Sequence, residues 1–71
     1  MTDKVIEVTF WKWVSMRQYS HYEIVRKETM TPKELNEWLT SHEDQLVQAT
    51  PGNHEYQDRD GNHYKITFPI S

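Results

Sequence analysis

Apolar and polar positions alternate along the first stretch of the chain. Ile6, Val8 and Phe10 fall on one parity and Glu7 and Thr9 on the other, the period-two signature of a half-buried strand. Residues with β-branched and aromatic side chains continue to Val14 and favour pleated backbone, so a strand is predicted over 4–14. The alternation slips after Phe10: Trp11 and Trp13 take the polar parity and Lys12 the apolar one. Either a bulge after Phe10 resets the register and returns both tryptophans to the core, or the second face of the sheet carries them. Core placement is the expectation, because a small domain needs its largest side chains inside. Polar residues at 15–20 suggest a turn. A second strand follows over 21–29, with Tyr22 and Ile24 on one face and Arg26, Lys27 and Glu28 exposing its far end.

The period then changes to that of a helix. Thr31 stands three residues before Glu34, with Pro32 between them at the first helical position and Met30 and Leu35 outside them. This is the pattern of a capping box with a hydrophobic staple, and proline at the first helical position loses no hydrogen bond. From Leu35, apolar residues recur at Trp38, Leu39, Leu46 and Ala49, with His42 on the same stripe. These offsets describe one buried helical face and predict a helix over 32–48. Ser41 with Asp44 is a weaker capping signal that could interrupt it, and Pro51-Gly52 ends it.

The last segment predicts a hairpin over 53–68. Asp58-Arg59-Asp60-Gly61 places Asp first and Gly last in a type I turn, and a left-handed Gly61 makes a three-residue loop. The register follows. Gln57 faces His63, Tyr56 faces Tyr64, Glu55 faces Lys65 and His54 faces Ile66, so Tyr56, Tyr64 and Ile66 share one face while Glu55 and Lys65 pair by charge on the other. The elements amount to one small α+β domain spanning 1–71, of order ββαββ, with an antiparallel sheet packed on one helix.

Composition narrows the function more than it identifies it. At 71 residues and 35% hydrophobic, the core must be thin, since a chain of this size buries only roughly 60% of its unfolded surface. Nine aromatics compensate. The absence of cysteine removes disulfides and thiolate zinc sites, and fits a reducing, cytoplasmic setting. No apolar run long enough for a membrane span is present. A net charge of −3 disfavours general phosphate binding, which needs clustered positive charge.

Candidate chemistry is sparse. Asp58, Asp60 and Asn62 alternate like calcium ligands, but His63 and Pro69 stand where an EF-hand needs Gly and Glu. The four histidines, His21, His42, His54 and His63, form no two-His helical pair, and the hairpin register puts His54 and His63 on opposite faces. No nucleophile motif or Gly-rich phosphate loop occurs. The reading is therefore no enzyme, no cofactor and no metal site. Trp11-Lys12-Trp13 is the one stretch that suggests function. It marks a protein interface if the aromatics are exposed, or a stacking platform for single-stranded nucleic acid. Of these, a protein-binding domain of accessory or inhibitory kind is expected, with a second copy of itself as a candidate partner. Small acidic proteins of this size include phage-encoded ones, an association that rests on size alone.

Overall fold

The capping box expected at the start of the helix is present in the computed structural model, which describes residues 4–70. Thr31 Oγ1 accepts from the backbone N–H of Glu34 (3.2 Å), and the Glu34 carboxylate accepts from the N–H of Thr31 (2.9 Å). The backbone N–H of Thr31, then its side chain, holds the Glu34 carboxyl below its ordinary range. Met30, the outer residue of the expected staple, packs against the core cluster that contains Leu35.

The strands are β1 (Ile6–Ser15), β2 (Ser20–Met30), β3 (Leu46–Thr50), β4 (Asn53–Gln57) and β5 (His63–Thr67), and the helix α1 (Pro32–Ser41) lies between β2 and β3. All pair antiparallel in one sheet of order β2-β1-β5-β4-β3. The fold is α+β, with the sheet packed against the helix.

One element differs from the sequence reading: the helix does not run over 32–48. It stops at Ser41, a 3-10 turn covers Glu43–Gln45, and Leu46–Thr50 is a fifth strand. The order is ββαβββ rather than ββαββ. Two side chains turn back on the last helical turn. Ser41 Oγ donates to the Glu37 carbonyl, and the ring Nδ1 of His42 reaches the Trp38 carbonyl, as does its backbone N–H. Leu46 and Ala49 continue the helical spacing by coincidence. Pro51-Gly52 does not end a helix but joins β3 to β4, with Thr50 paired to Asn53 and Gly52 at φ 76°. A Cβ at Gly52 would stand 2.7 Å from the Phe68 carbonyl oxygen, so both the conformation and the space require glycine there.

The C-terminal hairpin has the register derived above, from His54 opposite Ile66 to Gln57 opposite His63. Gly61 adopts φ 84° and donates to the Asp58 carbonyl. The Asp58 carboxylate accepts the backbone N–H groups of Asp60 and Asn62, each at 2.9 Å, which is the work of a polar turn. These hydrogen bonds, led by that from Asn62, lower its pKa.

The core lies between helix and sheet. Val8 and Ile66 are fully enclosed and Tyr56 nearly so, with Phe10 and Leu35 beside them. Trp38 meets Phe10 and Tyr56 edge-on, at centroid distances of 5.6 and 5.2 Å. Burial raises the Tyr56 hydroxyl to about 12, with a further contribution from Tyr64. The molecule measures 51 × 22 × 18 Å. Its length comes from the β1–β2 hairpin, which continues beyond Lys12, the last β1 residue paired with β5. No helix among the described residues is long and apolar enough to cross a membrane.

Candidate interaction face

The tryptophans are placed by a bulge, though not in the strand where the sequence suggested one. Pairing between β1 and β2 passes from Phe10–Arg26 to Trp11–Ile24, so the unpaired residue is Val25 on β2. The alternation of β1 is therefore never reset. Trp11 and Trp13 face away from Val8 and Phe10, on the side of the sheet that the helix does not cover. The expected core placement is overturned. Trp13 is 41% exposed and Trp11 half-buried. The bulge acts on β2 instead, switching which residues face which side. Before it, Tyr22 and Ile24 share the face of the tryptophans; after it, Arg26, Glu28 and Met30 turn toward the helix side, where Arg26 lies 4.1 Å over the Phe10 ring.

On the open face, side chains from four strands converge. Trp11 Nε1 donates to Thr67 Oγ1 on β5 (2.8 Å). Lys65 faces Trp11 across the β1–β5 ladder, and its ammonium lies 5.2 Å from the Trp11 ring centroid and 4.2 Å from that of Tyr22. Such contacts hold a cation on the negative face of the ring. Trp13 meets Tyr22 edge to face at 4.9 Å. The Tyr22 hydroxyl donates to the Glu55 carboxylate on β4 (3.1 Å). Burial, then this carboxylate, raises the Tyr22 pKa, so the phenol remains a neutral donor at physiological pH. Trp13, Tyr22, Glu55 and His63 surround a shallow concavity of about 340 Å³. Ile24, 52% exposed, extends the apolar surface.

Of the three residues singled out in the sequence, the structure brings two together and separates the third. Lys12 lies opposite Tyr64, on the helix side, and the cation beside the tryptophans is Lys65. Glu55 and Lys65 are cross-strand neighbours as derived, yet no ion pair between them occurs among the described residues: the carboxylate serves Tyr22 and the ammonium the two rings. Tyr22, Ile24, Glu55 and Lys65 were missed as site residues. The hairpin register already put Glu55 and Lys65 on the face away from Ile66; what was missing was the pairing of β5 with β1.

His54 and His63 point to opposite faces, and no group of three or more His, Asp or Glu that could hold a metal occurs among the described residues. The carboxylates with lowered pKa values, Glu34 and Asp58, hold backbone N–H groups of a helix cap and a turn. Comparison with protein-family models, curated proteins and solved structures finds no match.

Proposed function

We propose that this chain is a small non-enzymatic binding domain that docks a protein, and that its partner is a second copy of itself held through the open sheet face. The observation that carries the reading is the Trp13–Tyr22–Ile24 surface, which no part of the described chain covers although it adjoins an ordered set of contacts. Aromatic side chains held in place lose little further freedom on binding and are enriched where partners meet. Two further features favour a second copy. The face carries one cation, Lys65, and one carboxylate, Glu55, at its centre, both engaged within the chain, so two copies can lay this face together about a two-fold axis without burying an unpartnered charge. Both sheet edges also have a register shift, at Val25 in β2 and Val47 in β3, and bulges discourage edge-to-edge pairing. The face remains as the surface for association.

Nucleic acid has less support. Lys65 is engaged with Trp11 and Tyr22, and the net charge of −3 opposes phosphate binding.

Sedimentation velocity over a concentration series tests the proposal. The expected result is a dimer at tens of micromolar (about −6 to −7 kcal/mol of association), shifted to monomer by Trp13→Ser with an unchanged circular dichroism spectrum. A single monomer-sized species at high micromolar concentration would overturn it.

A further inference from the structure

On the opposite side of the sheet, beyond the C-terminal end of α1, Phe10, Lys12, Arg26, Trp38, His42 and Tyr64 line a cavity of about 230 Å³. No carboxylate lines it, although the chain has eleven acidic residues against eight lysines and arginines. We propose that this cavity binds a small aromatic carboxylate, with the ring between the aromatic walls and the carboxylate on Lys12 and Arg26.

The walls are held by ring-to-ring contacts. Trp38 is stacked on His42 at 3.9 Å and set edge-on against Phe10, and Tyr64 is stacked on Tyr56 at 5.4 Å. The Tyr64 hydroxyl donates to Gln45, which anchors that wall to the turn after the helix. The size suits one ring with a short acidic arm, given that an apolar cavity of about 150 Å³ holds benzene.

Lys12 and Arg26 are the cations of the site, with Glu23 opposite Lys12 in the β1–β2 ladder and Glu28 on Arg26. Lys12 has no ion-pair partner among the described residues. Arg26 gives its Nε to Glu28 (2.7 Å), which leaves its two terminal nitrogens for a bidentate contact. The helix carbonyl that would repel an anion here, Trp38 O, already accepts from the backbone N–H of His42 (3.2 Å) and lies 2.9 Å from its ring Nδ1. Trp11 and Val25 also border the cavity, whereas Trp13, Tyr22 and Ile24 do not, so the site and the proposed dimer contact can fail separately.

Amide chemical-shift titration with phenylacetate, and in parallel with neutral phenylacetamide, tests the assignment. Phenylacetate should shift Phe10, Lys12, Arg26, Trp38, His42 and Tyr64 in one saturable process, and phenylacetamide should bind at least about tenfold more weakly, as expected for loss of a charge-assisted contact. Lys12→Gln should weaken phenylacetate by a similar factor while Lys33→Gln leaves it unchanged. Should Lys12→Gln disturb the fold, the acid-to-amide ratio on the unaltered protein still decides. Equal binding of acid and amide, or shifts scattered over the surface without saturation, would overturn the proposal.

Discussion

The two faces of the sheet are built from similar side chains and put them to different uses. On the helix side, Phe10, Trp38, Tyr56 and Tyr64 pack ring to ring around Val8 and Ile66, with Val8, Ile66 and Tyr56 enclosed and Trp38 and Tyr64 partly buried. On the other side, Trp11 and Tyr22 hold the ammonium of Lys65, and Trp13 rests edge to face on Tyr22 with 41% of its surface exposed. An aromatic ring contributes most to stability when its whole surface leaves water. Left half-wet beside a cation, it contributes less to the fold and keeps surface for a partner. In 71 residues the single helix covers one face, and the composition of the other follows from being left open.

The contrast is broken most directly by truncation on each face. Ile66→Ala, at a fully enclosed position, should destabilise by about 2–5 kcal/mol. Trp13→Ala, although it removes a larger side chain, should cost the monomer less, about 1–3 kcal/mol from its partial burial and its edge contact with Tyr22. Urea midpoints measured at a concentration where the chain is monomeric check both; equal losses would erase the distinction between the faces.

Alkaline titration sharpens it further. Burial raises Tyr56 to about 12 from an ordinary value of 10.0. Its neutral form is favoured in the folded state, so this stability is complete below pH 10 and is lost as pH rises through the folded-state value. Tyr64 and Tyr22 are raised in the same sense, both chiefly by burial. Thermal melts between pH 9 and 12 should show falling stability. Tyr56→Phe should flatten the decline more than Tyr19→Phe, since Tyr19 is exposed.

Away from both faces, Thr31→Ala removes the helix cap and should cost about 0.5–2 kcal/mol, read as a lower urea midpoint. The smallest effect is expected at Lys65→Met. Losing the ammonium from the Trp11 and Tyr22 rings should cost about 0.5–1 kcal/mol, and Trp13 fluorescence should change little because its contact with Tyr22 remains.

Legibility in the sequence followed the range of the interactions. The cap at Thr31 and the turn at Asp58–Gly61 are local, decided by residues within four positions of each other, and both could be read, the cap with its reciprocal hydrogen bonds and the turn with the register it sets. The end of α1 could not. Leu46 and Ala49 sit at helical offsets from Leu35, and only the pairing of β3 with β4, across the turn at Pro51-Gly52, decides for a strand. The placement of the tryptophans depended on a residue in another strand. Slippage of the pattern at Trp11 was visible in β1, but its resolution lay at Val25 in β2, and β1 alone cannot say which strand carries the extra residue. Trp11 and Trp13 were legible as candidates. Their companions Lys65 and Glu55 were not, because the ladder that delivers them joins strands from opposite ends of the chain.

That ladder has a consequence for how the molecule assembles. β1 with β2, and β3 with β4 and β5, are each local antiparallel units closed by short turns. Their backbones pair where Thr9–Lys12 meet Tyr64–Thr67, residues more than fifty positions apart, and Tyr22 adds side-chain contacts to Glu55 and Lys65. Loop-closure entropy makes such a contact slow to form and rewards it only once formed. The hairpin and the meander are thus expected to gain structure early, and their docking along four residue pairs, with the helix closing over the seam, to set the folding rate. Substitutions at Thr50 and Asn53 in the β3–β4 hairpin, formed before the barrier, should then slow folding with little effect on unfolding, whereas those at Phe10 and Ile66, which face each other across that seam, should divide between the two rates.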